Sequence, residues 1–368
     1  MKLGCALLFC IALQAPTALA QETRSFFGGS IGARGMVIGS QGAAAMADGL
    51  SWASATTLAA SLGVKGQRSR AEASFEAAAL GGSAAAIARA ASATPASQVF
   101  LVGSADAAAS LRIRTLWARL DLEGANLQIG RQVVNYGRAA FWSPADLFAT
   151  LDLTGISPDR LGIDALRLRV PLADLAGLDL VAAPLGDPTK GRYAARFSAA
   201  ALGLDGGLLA AWDGSGAPGR LVAAGDCKFD LGASYYGEAL WSVDPSAIDK
   251  PDGSRVRAAA GFDWSRGDLI VAGEYYFNGG GAKADVSFPS RHHVFAAASW
   301  AASDFTKLTV TAISAPESGA LRGQLLCSVD SSQNSTLAFF GELSRGSFVQ
   351  ESADGITGHI GATLSVKF

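Results

Sequence analysis

Arginines recur at even spacing in this chain: Arg167 with Arg169, Arg192 with Arg196, and Arg255 with Arg257. Even spacing puts side chains on one face of a β-strand. A row of guanidinium groups on one face can line a path for anions, or it can pair with carboxylates and stiffen a wall. Lys307 and Arg322 stand in similar phase in other segments, as do Asp263, Glu274 and Glu342, so both uses are open. Little else suggests reaction chemistry. His292 and His293 are adjacent, so on a strand they point to opposite faces and do not converge on a metal. No nucleophile, base and orienting group surround them or His359 in a recognisable catalytic pattern. No glycine-rich phosphate loop follows a strand and no Cys/His cluster occurs. The residues therefore predict no enzyme, no metal and no cofactor.

The elements that position those arginines have a period of two. In 254–266, Val256, Ala258, Ala260, Phe262 and Trp264 share one face while Arg255, Arg257, Asp263 and Ser265 share the other. In 165–172, Leu166, Leu168, Val170 and Leu172 oppose Arg167 and Arg169. In 192–200, Tyr193, Ala195, Phe197 and Ala199 oppose Arg192, Arg196 and Ser198. The pattern recurs near 233–241, 268–278, 304–314, 320–330, 335–345 and 355–368, and each run closes on Gly, Asp, Ser, Asn or Pro. Early strands are expected over 25–40, 50–66 and 69–82, and a loop over the Ala-rich 81–100. Persistent alternation means strands with one apolar and one polar face.

Two architectures satisfy that pattern: a sandwich with its apolar face inside, or a transmembrane barrel with its apolar face toward lipid. Hydrophobic residues make up 49% of the chain and charged residues only 17%. Residues 1–20 carry Lys2, an apolar run and a terminal Ala-Leu-Ala, the form of a cleaved secretory signal. Removing it leaves 29 basic and 32 acidic side chains, a net charge of −3 that gives nucleic acid no footprint. It also removes two of the four cysteines; Cys227 and Cys327 remain on the apolar phase of separate strands, where no disulfide is expected. No later run approaches the roughly 20 apolar residues of a spanning helix. Runs of about ten residues at a barrel tilt do match the hydrocarbon thickness. Many apolar positions are Ala or Gly, which fill a sandwich core poorly, and Trp241, Trp264, Tyr275, Phe277 and Trp300 fall near strand ends. The end of the chain alternates to its last residue, with Ile360, Ala362, Leu364, Val366 and Phe368 on the apolar phase.

That last strand resembles the terminal strand of bacterial outer-membrane barrels, which implies that Leu364, Val366 and Phe368 are read by the barrel-insertion machinery. A second resemblance lies in 127–169. Gly130, Arg131 and Gln132 end a strand, an aromatic-Gly pair follows at Tyr136–Gly137, and Pro144, Asp146 and Leu147 form a Pro-x-Asp-Leu loop. Arg160, Asp164, Arg167 and Arg169 continue it. The stretch resembles porin-like outer-membrane proteins, including little-characterised families related to alginate-export barrels. The resemblance is close over about 45 residues and implies a fold more than a substrate.

The reading is an all-β, closed antiparallel transmembrane barrel of about 18 strands, within a range of about 14 to 18 and in even number. It is a single domain over 21–368 in the outer membrane, with lipid outside and small polar solutes inside. Residues 138–162 are the expected constriction loop. Ser143, Pro144 and Asp146 have the form of a short helix start. Long connections without such a role are uncommon, so the loop is expected to fold inward. Arg131, Trp142, Pro144, Asp146 and Arg160 are its candidate residues, with Arg131 or a neighbouring lumen arginine as partner for Asp146. Strict alternation from Leu127 puts Arg131 outward, so an inward Arg131 requires a bulge near Gly130. The lumen candidates are Arg167, Arg169, Arg192, Arg196, Arg255, Arg257, Asp263, Glu274, Lys307, Arg322 and Glu342, with Asp226, Lys228, Glu238 and Lys367 beside them. Basic groups outnumber acidic ones in that set, and a mild anion preference follows. The function expected is passive passage of small polar solutes; the alternative is a filled, non-conducting barrel with a structural role.

Overall fold

The structure is a computed structural model that describes residues 24–42, 49–85, 98–104, 106–148, 160–184, 187–250, 253–281, 288, 290–346 and 355–368. The signal expected over 1–20 lies outside them, as does 149–159 of the excursion. The first strands are β1 (Arg24–Gly42), β2 (Gly49–Lys65), β3 (Ser69–Gly82), β4 (Gln98–Gly103), β5 (Ala107–Leu122) and β6 (Ala125–Gln132). After the excursion come β7 (Ile163–Ala173), β8 (Ala176–Ala183), β9 (Arg192–Ala201), β10 (Leu204–Asp213), β11 (Arg220–Asp230) and β12 (Ser234–Val243). The chain closes with β13 (Ser254–Arg266), β14 (Leu269–Asn278), β15 (His292–Ser303), β16 (Thr306–Ala315), β17 (Ala320–Ser332), β18 (Ser335–Arg345) and β19 (Gly355–Lys367).

Each strand pairs antiparallel with its neighbour, and β1 joins both β2 and β19, so the sheet closes on itself. The ring has 18 strands, because β3 pairs directly with β5 and β4 lies off the ring. Closure leaves no strand edge unpaired around the ring, which is what a lipid environment requires. β4 begins within the stretch expected to be loop, 81–100, and runs three residues past it. It pairs with Ala108–Arg112 of β5, the part of that edge beyond Leu116–Leu122, where β6 is bonded. The edge is open there because β6 stops at Gln132 and leaves the sheet. The expected starts and ends of the first three strands agree with the structure to within two residues.

Hydrophobic side chains stand on the outside. Leu208, Leu325, Ile360 and Phe368 are all more than half exposed, as is Trp52. Val256, Phe262 and Leu364 are exposed on the same outward phase. This is the architecture of an outer-membrane β-barrel, in which such a belt meets acyl chains. Among the described residues no helix is long and apolar enough to cross a membrane. One barrel end carries tight links such as 123–124, 202–203 and 267–268 together with the C-terminus, and the other carries the longer connections. The C-terminal strand is pinned at the tight end: Phe368 and Gly29 exchange backbone bonds of 3.0 Å, and the Phe368 ring lies 6.0 Å from Phe27.

Candidate functional site

The excursion between β6 and β7 is the one long segment that enters the barrel among the described residues, and its residues dictate how. Gly130 has φ +114°, and a Cβ there would sit 2.2 Å from the Leu116 carbonyl oxygen, so the strand end tolerates no side chain. Gln132 is 1% exposed and its amide donates to the Ala165 carbonyl at 3.0 Å. From there the chain turns inward as a strap. Val134 and Tyr136 bury themselves against the inner wall of β7–β12, on Ala165, Val181, Ala194, Leu209 and Val222. Burying a side chain the size of Val134 contributes about 1.5–3 kcal/mol of transfer free energy. The guanidinium carbons of Arg167 and Arg196 lie 5.9 and 5.8 Å from the Tyr136 ring centre. Burial, with the Asp179 charge nearby, pushes the Tyr136 phenol up, so it stays neutral.

Gly137 closes the strap on itself. A Cβ at this position would lie 1.3 Å from Ser143 Oγ, inside bonding distance. Arg138 then clamps the strap to the wall: it donates to both carboxylate oxygens of Asp205 at 2.6 and 2.7 Å and to Asp226 at 2.5 Å. Burial alone would lower the pKa of Arg138, but its bonds and attraction to Asp205 and Asp226 outweigh that and raise it. Its backbone N–H donates to Glu238. Beyond Ala139, three successive amides converge on one carboxylate. Ala140, Phe141 and Trp142 donate to Glu274 at 2.9, 3.0 and 2.5 Å, and the Tyr236 hydroxyl donates to it at 2.8 Å. Successive N–H groups make a concave anion site, here filled by the wall itself.

Glu274 is on β14, and β7–β13 lie between β6 and β14 around the ring, so the strap reaches the far wall. There the Trp142 ring stacks on Tyr276 at 5.4 Å and meets His293, which is 0% exposed, at 5.7 Å. Ala139, Trp142, Tyr236, Ala259, Tyr276 and Ile313 form an apolar cluster inside the barrel. The strap then turns back. Ser143–Phe148 make successive turns, with Asp146 N–H donating to the Ser143 carbonyl at 3.0 Å, in place of the helix start that Ser143 and Pro144 predict. Arg192 donates to the Leu147 carbonyl at 3.1 Å, and Phe148 meets Tyr136 edge-on at 5.7 Å.

Two expectations need correcting. Asp146 is paired with Arg160 and not with Arg131. Arg131 lies on β6, outside the constriction, and no bulge turns it inward: the register runs unshifted through Gly130 opposite Trp117 and Arg131 opposite Leu116. It keeps the outward phase and forms a two-point bond with Asp164, its cross-strand partner, at 2.9 and 2.6 Å. The bulge in this region sits on β5, where the register shifts past Arg114.

The other predicted lumen residues fall on the inward phase, mostly in pairs. Arg167 bonds both oxygens of Asp179 at 3.0 Å, and Arg169 stands 3.9 Å from the same carboxylate. Arg192 meets Asp213 at 3.2 Å and Arg196 meets Asp226 at 2.8 Å. Arg322 meets Glu342 at 3.3 Å, and Asp263 lies 3.9 Å from Lys228. Arg255, Arg257 and Lys307 share the phase of these neighbours on β13 and β16. The acidic partners Asp179, Asp205 and Asp213 went unpredicted, although Asp179 sits legibly between Leu178 and Leu180. Glu76 with Arg112 and Arg114, on β3 and β5, went unpredicted too. Arg138 and Tyr136 could not be found from periodicity, because the strap has none.

Comparison with known proteins gives fold but not family. No family model matches the chain, and no curated protein matches it. Solved structures do. The chain is similar to the outer-membrane protein OpdK of Pseudomonas aeruginosa, with TM-score 0.58 and 9% identity over 93% of this chain and 99% of that one. It is similar to OccK7 (OpdD) of the same organism, with TM-score 0.56 and 8% identity over 94% and 98%. OccD1 (OprD), in a doubly substituted form, matches with TM-score 0.53 and 11% identity over 93% and 96%. At these identities the likeness is one of architecture: a porin-type barrel.

Proposed function

We propose that the chain forms a channel in a bacterial outer membrane through which small polar solutes pass without energy input, with the 133–148 strap narrowing the lumen. The observation that carries this is the asymmetry of the interior. The strap and its two apolar clusters occupy the arc from β7 to β16. The remaining arc, β17–β19 with β1–β6, presents Arg34, Arg70, Arg119, Gln128, Arg322 and Thr363 on its inward phase, with one small apolar cluster of Ala55, Ala78, Leu80, Ala85 and Ala108. A polar, partly exposed wall facing a strap that leaves it uncovered is the form of a narrowed pore.

The arginines divide into two sets. Those under the strap are neutralised in contact, as Arg167, Arg192 and Arg196 are by Asp179, Asp213 and Asp226. Arg169 and Arg322 also stand near carboxylates, Asp179 at 3.9 Å and Glu342 at 3.3 Å, but they are 43% and 48% exposed and so still face passing ions. This supports a mild anion preference, smaller than the count of arginines alone implies. The likeness to alginate-export-type barrels rests on the 130–169 motif and adds no substrate. Leu364, Val366 and Phe368 are assigned to recognition by the insertion machinery, on the outward phase of a strand that closes the ring.

The test is reconstitution. Purified mature chain in liposomes is expected to cause swelling with small sugars and to lose it as solute mass rises. Planar-bilayer reversal potentials in a salt gradient should show a modest anion preference, and cation preference would reject that part. Absence of swelling and of conductance would favour the filled barrel, a reading that the dry clusters under the strap would then explain.

A further inference from the structure

Phe141 is the exposed aromatic of the strap, with 41% of the residue open, whereas Tyr136, Trp142 and Phe148 are buried. Its direction is set by its backbone, since its own N–H and those of Ala140 and Trp142 are all held on Glu274. The ring lies nearly flat on Phe295, at 4.7 Å between centres and 17° between planes. Trp142 and Phe288 stand beside it at 4.8 and 6.2 Å, both near perpendicular. Phe295 is on the inward phase of β15, two residues from buried His293. One face of the Phe141 ring is thus covered, while much of the residue stands open toward the lumen.

Next to this stack the wall changes character. Toward the tight-turn end, β15 and β16 present Ala297 opposite Thr311 and Ser299 opposite Thr309. Ser299 and Thr309 are hydrogen-bonded to each other at 2.8 Å, leaving acceptor capacity on each hydroxyl. On β15 and β16 the wall there is small and hydroxylic beside an apolar plate, with Ile270, Leu326 and Lys307 flanking it on the same phase. A flat ring can lie on such a plate while polar substituents at its rim reach hydroxyls. A flexible linear molecule gains less area and loses more conformational freedom in doing so.

We propose that the Phe141–Phe295 stack is a solute-contact surface that retains small solutes having a flat apolar ring face over linear solutes of the same charge and similar size. The proposal rests on the channel reading. Both an aromatic ring and the hydrogen-bearing face of a pyranose have this chemistry.

The experiment uses the full mature chain in planar bilayers, with current interruptions recorded on adding benzoate against hexanoate, and glucose against sorbitol. Residence in the pore should be longer for the ring member of at least one pair, by about threefold to tenfold. Benzoate alone discriminating assigns the surface to aromatic solutes; glucose alone assigns it to sugars. Phe141→Leu keeps an apolar side chain but removes the plate, and its ratio should fall to near one while the channel still conducts. Conductance in the same membrane certifies that the variant has folded. A conducting wild type with ratios near one, or a Phe141→Leu channel with an unchanged ratio, overturns the proposal and leaves the channel reading standing. No conductance at all overturns both.

Discussion

Arg138 and Glu274 do opposite things with the same strap. Arg138 reaches out with three N–H bonds to the wall carboxylates of Asp205 and Asp226, whereas Glu274 reaches in to collect three strap amides. Between them, Gly137 lets the strap fold back tightly. Its Cβ would lie 1.3 Å from Ser143 Oγ and 2.6 Å from Ser143 Cβ, so Gly137→Ala forces one limb of the strap off the wall. Overpacking of this kind costs about 1–3 kcal/mol. Urea unfolding of the detergent-solubilised barrel should show that loss, and Gly137→Ala with Ser143→Gly should recover much of it. Of these residues, Gly130 and Gly137 stood out by position in the sequence, but not the reason for them. A glycine required by a close approach is visible only when the approaching atom is placed.

The strap as an element is held by polar bonds at its tip and by apolar burial at its roots. Val134, Tyr136 and Phe148 anchor the roots in the β7–β12 cluster, while Glu274 fastens the tip. Hydrogen bonds to a charged group contribute about 1.5–3 kcal/mol each. Glu274→Gln removes the charge and leaves one carbonyl acceptor where two carboxylate oxygens served four donors. The barrel ring should still form, because its strands bond to each other and not to the strap. Single-channel records of this variant are expected to show more open-state noise and a larger conductance than wild type; identical records would mean that the tip bonds do not hold the strap. The departure of β6 has a structural counterpart in β4, which takes up the β5 edge left beyond it. Neither the departure nor its cover is coded by alternation. Residues 98–103 offer too short a run to be told from loop, and their pairing depends on a vacancy created 30 residues later.

At the scale of the whole molecule, one orientation governs everything: apolar side chains face lipid and charged ones face water. Leu325, 53% exposed near the middle of β17, lies on the outer phase beside inward Gln324. Leu325→Arg should therefore destabilise folding into vesicles by about 2–4 kcal/mol, the cost of a cation at the bilayer midplane. Gln324→Arg, one residue away, should leave folding intact and shift ion selectivity toward anions. Equal folding losses for both would contradict the assigned faces. That orientation, the strand period, the even-numbered closed ring and the early strand limits were determined by the sequence alone. Each follows from a local rule, the two-residue repeat of a strand repeated until the sheet closes. The path of the strap, the partner of Asp146, the pairing of Arg131 with Asp164 and the platform at Phe141 were decided only in three dimensions. They depend on which distant strands face one another across the lumen, and a period of two carries no information about what lies opposite.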